Sequence, residues 1–146
     1  MRLSRDFAVA VFVVWCDSVL LHHHPKLGKW LPVGGHIEPD ELPDEAAVRE
    51  AFEESGIRVQ LSGDRALPVD EPKQLIRPEG IQLERIGPEH EHIDLIYFGR
   101  PVEPYGGEIP VADAETGWYD IEAVETLPLT QEVRAWCRRA LALLAG

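Results

Sequence analysis

Apolar residues run without interruption near the start of the chain, and this pattern predicts a buried strand. Residues 7–14 read FAVAVFVV, and such a run, rich in Val and Phe, is typical of a strand covered on both faces. The turn signal CDS follows, and the shorter apolar run VLLHH predicts a second strand. The first run is too short to cross a membrane.

The spacing of apolar and polar residues becomes helical over Pro43–Ser55. A proline suits the first position of a helix, and Asp44 and Glu45 favour its positive end. Gly56 is typical of the position just beyond a helix, whereas Leu42 offers no side chain to cap the first turn. We therefore predict a helix with these bounds and an uncapped beginning.

The second half of the chain alternates strand patterns with loops rich in Pro and Gly. IRVQL, the pair IQLERI and HIDLIYF, and GWYDI predict strands, and the pair is expected to be antiparallel. Residues 62–80 and 100–116 predict irregular connections, and Thr130 is expected to cap a last helix over residues 131–145. The order of strands and helices along the chain predicts one α/β (α+β) domain over residues 1–146.

Composition narrows the possible partners. The 146 residues carry a net charge of −12, which disfavours a nucleic-acid duplex or an anionic membrane as a passive partner. A phosphate-containing ligand remains possible if a divalent ion accompanies it. Cys16 and Cys137 have no paired spacing, and we expect two buried thiols in a reducing cytoplasm. Asp6 interrupts the basic start, which argues against a secretory signal.

The predicted helix carries an acidic face. At 100° per residue, Glu50, Glu53 and Glu54 lie together, opposite an inward face expected to hold Val48, Ala51, Phe52 and Ser55. Like charges at this spacing repel, and Arg49, which reaches Glu53 at i+4, cannot neutralise three carboxylates. Oxygen-only donors suit Mg²⁺ or Mn²⁺; a solvated acidic face is the alternative.

The residues before the helix favour the metal site. Gly34 and Gly35 allow the backbone to approach a ligand closely, and a backbone carbonyl is an accepted ligand of a hard cation. Glu41 precedes Arg49 by eight residues, close enough across the loop to pair with it. The glycines, the arginine and the carboxylates together predict a built site for a divalent ion.

Residues 35–57, GHIEPDELPDEAAVREAFEESGI, resemble the signature of the Nudix hydrolase family at Gly35, Glu41, Arg49, Glu50, Ala51, Glu53, Glu54, Gly56 and Ile57. The resemblance implies an α/β/α sandwich with a mixed sheet and a loop–helix–loop metal site. It implies Glu50 and Glu54 as Mg²⁺ ligands, Mn²⁺ being a possible substitute, with Glu53 and the Gly34 carbonyl beside them. Arg49 and Glu41 would orient these carboxylates.

The function implied by the resemblance is a metal-dependent pyrophosphohydrolase. It would cleave a phosphoanhydride bond in a nucleoside diphosphate derivative, such as a nucleotide, a nucleotide sugar like ADP-ribose, or a dinucleotide, by water attack at phosphorus. A non-catalytic nucleotide-binding module of the same family is the alternative, and an acidic structural domain is a third. The chain would be a monomer or a homodimer.

Several roles stay open at this point. The general base is either Glu53 or a loop carboxylate among Glu103, Glu108, Asp113 and Glu115. His90, His92 and Asp94 alternate along a predicted strand and therefore share one of its faces. Three interpretations are open: they form a second metal site, they line the substrate pocket, or they are ordinary polar residues of a strand. Trp30 and Trp118 are expected in the core rather than against a nucleobase.

Overall fold

The structure is a computed structural model that describes residues 2–25, 27–102 and 115–146. In these ranges the chain forms strands and helices in the following order: β1 Ser4–Trp15, β2 Ser18–His24, β3 Lys29–Leu31, β4 Val33–His36, α1 Pro43–Ser55, β5 Val59–Leu61, β6 Gly80–Gly87, β7 His90–Pro101, β8 Thr116–Asp120, α2 Ile121–Thr126 and α3 Gln131–Leu144. Of these, α2 was not predicted; Asp120 ends β8 and also caps α2 by accepting a hydrogen bond from Ala123 N–H.

Strand β1 lies inside a mixed sheet. It runs parallel to β7 from the pair Ser4–His90 to the pair Val13–Gly99, and antiparallel to β4 and β2. Strands β3 and β8 extend the sheet beyond β2, while β5 and β6 pair antiparallel with β7. The predicted mixed sheet is confirmed. Most of the apolar run of β1 is buried, but Phe7 at its start is 58% exposed.

Helices cover both faces of the sheet and form two cores. On one face α1 packs with Val9, Val11 and Val13 of β1, and on the other face α3 packs with Phe12 and Val14. Successive side chains of β1 therefore pack alternately into the two cores. This is the α/β/α sandwich that the sequence predicted.

The bounds of α1 agree with the prediction, but its buried face differs. Small side chains, Ala46, Ala47 and Ala51, are fully buried, whereas Val48 and Phe52 are 37% and 42% exposed. The alanines allow the helix backbone to approach the sheet, which turns the two larger residues outward. The prediction that Val48 and Phe52 face inward is therefore wrong, and Arg58 lies over the Phe52 ring at 4.7 Å.

Two smaller points complete the fold. Cys16 is exposed, contrary to the predicted buried thiol, because it lies in the tight turn between β1 and β2 with a φ of 54°; Cys137 is buried, as predicted. Thr130 caps α3 through Val133 N–H, also as predicted. Among the described residues, no helix has the length and apolar character needed to span a membrane.

Candidate active site

The two glycines of β4 lie directly against the acidic face of α1. The backbone N–H of Gly34 donates to Glu54 Oε1 at 2.7 Å. A Cβ added at Gly35 would lie 2.5 Å from the carboxyl group of Glu50, and one at Gly34 would lie 2.1 Å from the Val9 carbonyl oxygen. A side chain at Gly34 would collide with backbone, and one at Gly35 would push the Glu50 carboxyl group away from the strand. Glycine at both positions therefore allows the observed contact.

Arg49 connects the acidic face to the loop before the helix. Its Nε and Nη2 donate to the two carboxylate oxygens of Glu41 at 2.7 and 2.9 Å. Its Nη1 donates to Glu50 and Glu53 at 2.8 and 3.1 Å, and Nη2 also donates to the His36 carbonyl at 3.0 Å. The Arg49 hydrogen bond lowers the pKa of Glu41, and Glu41 in turn raises the pKa of Arg49. These bonds connect Glu41 to the carboxylates of α1 through Arg49, and the positioning role of the pair stays a prediction.

The charges of this site are unbalanced. Arg49 lies within 4.0 Å of four carboxylates, those of Glu38, Glu41, Glu50 and Glu53, and Glu54 adds a fifth negative charge beside Gly34. One guanidinium cannot offset this many carboxylates. Clustered oxygen donors next to a glycine backbone are what Mg²⁺ or Mn²⁺ requires, so these residues fit a divalent ion.

A cavity of about 420 Å³ opens beside the two glycines, on the sheet face that carries α3. Ala8 and Ala10 of β1 form its floor, because small side chains at these positions leave space above the sheet. Its other lining residues come from β3, β4, β6, β7 and the start of α3, and include Lys29, Leu31, His36, Gln82, Glu84, His92, Asp94 and Glu132. The cavity therefore borders the glycine backbone of the predicted metal site and extends over the sheet, but none of the α1 glutamates lines it.

One wall of the cavity is a polar network. Trp136 Nε1–H donates to Gln82 Oε1 at 2.9 Å, which orients the amide so that Nε2 donates to Asp94 at 3.2 Å and to Glu132 at 3.1 Å. Burial, followed by the hydrogen bond and charge of Asp94, raises the pKa of Glu84 to about 7. Burial likewise raises the pKa of Glu132. The wall thus presents several carboxylate oxygens to a ligand.

Sequence reasoning missed part of this wall. Gln82 and Glu84 alternate within β6 and pair with Asp94 and His92 of β7, so their period-two spacing was an available signal. Glu132 comes from the first turn of α3, and nothing local marked it. Only the fold places that turn over the cavity.

The other predicted residues divide into three groups. His92 and Asp94 line the cavity, as one of the open interpretations held. Trp30 and Trp118 are partly buried against the two cores. Glu115 lies 4.0 Å from His22 and lines a separate cavity of about 190 Å³, while Glu103, Glu108 and Asp113 lie outside the described residues.

The fold is an α/β/α sandwich whose first helix holds clustered carboxylates against a glycine backbone. The family model of the NUDIX domain matches residues 4–141, and the chain belongs to the Nudix hydrolase family, as its signature predicted. A hydrolase of this family from Clostridium perfringens is 36% identical, with a TM-score of 0.77 over 97% of this chain and 99% of that one.

Two further relatives show different extents of similarity. The C. elegans Ap4A hydrolase shares the fold, with a TM-score of 0.72 over 97% of this chain and all of that one, at 17% identity. The mouse diphosphoinositol polyphosphate phosphohydrolase 3-alpha is 48% identical over 59 residues. That match spans 40% of this chain and only 35% of the curated relative.

Proposed function

We propose that this chain is a metal-dependent pyrophosphohydrolase that cleaves a phosphoanhydride bond in a nucleoside diphosphate derivative by water attack at phosphorus. The observation that carries the proposal is the contact of α1 with β4, where Glu50 and Glu54 lie on the glycine backbone. The two glycines of this contact also line the 420 Å³ cavity. A reactive phosphate and the group attached to it therefore have adjacent places to bind.

Glu50, Glu54 and the Gly34 carbonyl would hold Mg²⁺, with Glu53 beside them, and Mn²⁺ would substitute for Mg²⁺. The bound ion would offset the charge of the diphosphate and acidify a water molecule. Arg49 keeps the carboxylates apart and oriented through its bonds to Glu50 and Glu53. Glu41 holds Arg49 in turn, which makes both of them positioning residues.

Glu53 is our choice for the general base. Its side chain is 56% exposed, whereas that of Glu50 is 15% exposed. A carboxylate that reaches solvent can accept a proton from water and release it again. Glu115 and the loop carboxylates Glu103, Glu108 and Asp113 are the alternatives that mutagenesis should compare with it.

The cavity wall favours a nucleotide over a polyphosphorylated inositol. Asp94, Glu132 and Glu84 place carboxylate oxygens where a nucleobase could donate N–H groups. The same oxygens would repel the many phosphates of a diphosphoinositol polyphosphate. The inositol substrate class is suggested only by the name of the mouse relative, and that relative matches this chain over 59 residues. The non-catalytic alternative has no observation in its favour, since all three signature glutamates are present.

The test is a substrate panel with Mg²⁺ or Mn²⁺ in which released phosphate or pyrophosphate is measured. The panel should contain nucleoside triphosphates, nucleotide sugars, dinucleotides, coenzymes and a diphosphoinositol polyphosphate. We expect turnover of at least one nucleotide and a decrease in kcat of at least ~100-fold in Glu54→Gln. Glu45→Gln, an exposed residue of the same helix, is the control. Unchanged turnover in Glu54→Gln would reject the proposal.

A further inference from the structure

A second group of metal-binding side chains lies at the rim of the cavity, away from the glutamates of α1. It consists of Asp6 on β1, His36 on β4, and His90 and His92 on β7. The sheet register brings them together: Asp6 pairs with His92, and the neighbouring pairs are Ser4–His90 and Ala8–His36. Residues two apart on a strand share a face, so all four side chains project to the same side.

The distances between their donor atoms are those of a tetrahedral site. His36 Nε2 lies 3.1 Å from His92 Nε2, and Asp6 Oδ2 lies 3.3 Å from His90 Nε2 and 3.8 Å from His36 Nε2. The four ligand atoms are all within 4.8 Å of one another. Bonds of about 2.0–2.2 Å to zinc require ligand atoms roughly 3.3–3.6 Å apart in a regular tetrahedron. Small adjustments would therefore seat an ion.

The surroundings also orient two of the imidazoles. Ser4 Oγ donates to the Glu89 carbonyl at 3.3 Å and lies 2.8 Å from His90 Nδ1. When the hydroxyl donates to that carbonyl, Nδ1–H of His90 can donate to Ser4 Oγ, and this tautomer leaves the lone pair of Nε2 available to an ion. Metal-binding histidines in proteins use this pattern, in which the second ring nitrogen donates to a neighbour. His36 is anchored by its backbone, because its carbonyl accepts from Arg49 at 3.0 Å.

We propose that Asp6, His36, His90 and His92 bind one transition-metal ion of the zinc class, at a site distinct from the glutamate site. Three imidazoles and one carboxylate select Zn²⁺, Ni²⁺ or Cu²⁺ rather than Mg²⁺. Four protein ligands are typical of a closed, structural site. The ion would join β1, β4 and β7 just where the chain leaves β4 for the loop before α1. The inference does not depend on the proposed hydrolase activity.

The experiment is a titration of the chelator-treated chain with Zn²⁺ by calorimetry, and with Co²⁺ by visible absorption, both at millimolar Mg²⁺. We expect one Zn²⁺ per chain and the strong visible bands of tetrahedral Co²⁺. His92→Gln and His36→Gln should each weaken zinc binding at least ~10-fold. Removing a residue that only hydrogen-bonds to a metal ligand already costs about that much affinity, and removing the ligand itself should cost more. His24→Gln, outside the group, should leave binding unchanged.

Glu54→Gln separates the two metal sites. If it retains zinc binding while the histidine variants lose it, the proposal holds. If zinc binding is absent, or is lost in Glu54→Gln and kept in the histidine variants, the proposal is overturned. Asp6→Asn, which changes an exposed residue, provides a ligand variant if a histidine variant fails to fold, as monitored by circular dichroism. At equal zinc concentration the rise in Tm should be smaller in His92→Gln than in the wild type and Glu54→Gln, because weaker binding stabilises less.

Discussion

The pairing of Arg49 with Glu41 makes a quantitative prediction about stability. The two side chains are only 23% and 15% exposed, and two hydrogen bonds of 2.7 and 2.9 Å join them. The perturbation is a double-mutant cycle with Arg49→Met, Glu41→Gln and the double variant. Because solvent screens this pair poorly, its coupling should be measurable, unlike that of most surface ion pairs.

The magnitude follows from the bonds. Hydrogen bonds to charged groups contribute about 1.5–3 kcal/mol each, and neighbouring residues couple by about 0.5–3 kcal/mol, so we expect a coupling of about 2–3 kcal/mol. Arg49→Met alone should cost about 3–5 kcal/mol, because Glu41, Glu50 and Glu53 lose their common partner. Mg²⁺ should recover part of this loss, because an ion supplies the missing positive charge.

The assay is urea unfolding followed by tryptophan fluorescence, first with chelator and then with Mg²⁺. Arg77 and Asp64 form the control cycle: they are joined by two similar hydrogen bonds, but their side chains are 62% and 72% exposed. Their coupling should be much smaller. If the Arg49 and Glu41 variants are additive within about 0.5 kcal/mol, the positioning role of the pair is refuted.

The same pair predicts a dependence on pH. The hydrogen bond from Arg49 lowers the pKa of Glu41 below its ordinary value of 4.5. The stabilisation is therefore complete above the pKa of the unfolded chain and is lost as the pH falls through the lowered folded value. We expect the stability difference between wild type and Glu41→Gln to shrink as the pH falls below about 4.5. A difference that grows on acidification would contradict the assignment.

Two further predictions concern single side chains. Gly35→Ala should lower kcat by roughly 100-fold, because its Cβ would lie 2.5 Å from the Glu50 carboxyl and misplace it; Gly87→Ala, with no atom within 4 Å of the added Cβ, should match the wild type. In the folded chain, iodoacetamide should label exposed Cys16 and spare Cys137, because burial raises the pKa of Cys137 to about 12. Mass spectrometry reports both labels, and labelling of Cys137 before unfolding would show that α3 opens.

Much of the glutamate site was predictable because its residues are close in sequence. A proline and a glycine mark the ends of α1, and the helical repeat alone gathers Glu50, Glu53 and Glu54. The contact of Glu41 with Arg49 requires only that the short loop turn back on the helix. Each of these features depends on local geometry, which a sequence expresses directly.

The inward face of α1 was harder to predict, because hydrophobicity does not rank residues by size. Ala47 and Ala51 are fully buried, while Val48 and Phe52 remain exposed. A helix that must bring its carboxylates onto the glycines of β4 approaches the sheet more closely than large side chains permit. The apolar-face rule therefore placed Ala51 and Ser55 correctly, but it placed Val48 and Phe52 on the wrong face.

The histidine group and the cavity wall depend on pairings between distant strands. His36 and His92 are 56 residues apart, yet their Nε2 atoms lie 3.1 Å apart, because β1 is antiparallel to β4 and parallel to β7. A shift of one residue in either register would turn one of these side chains to the opposite face. Alternation along β7 alone indicated only that its polar residues share a face. The strand register decides whether these polar residues lie near possible metal ligands on β1 and β4. In this fold the register brings them together into a candidate metal site.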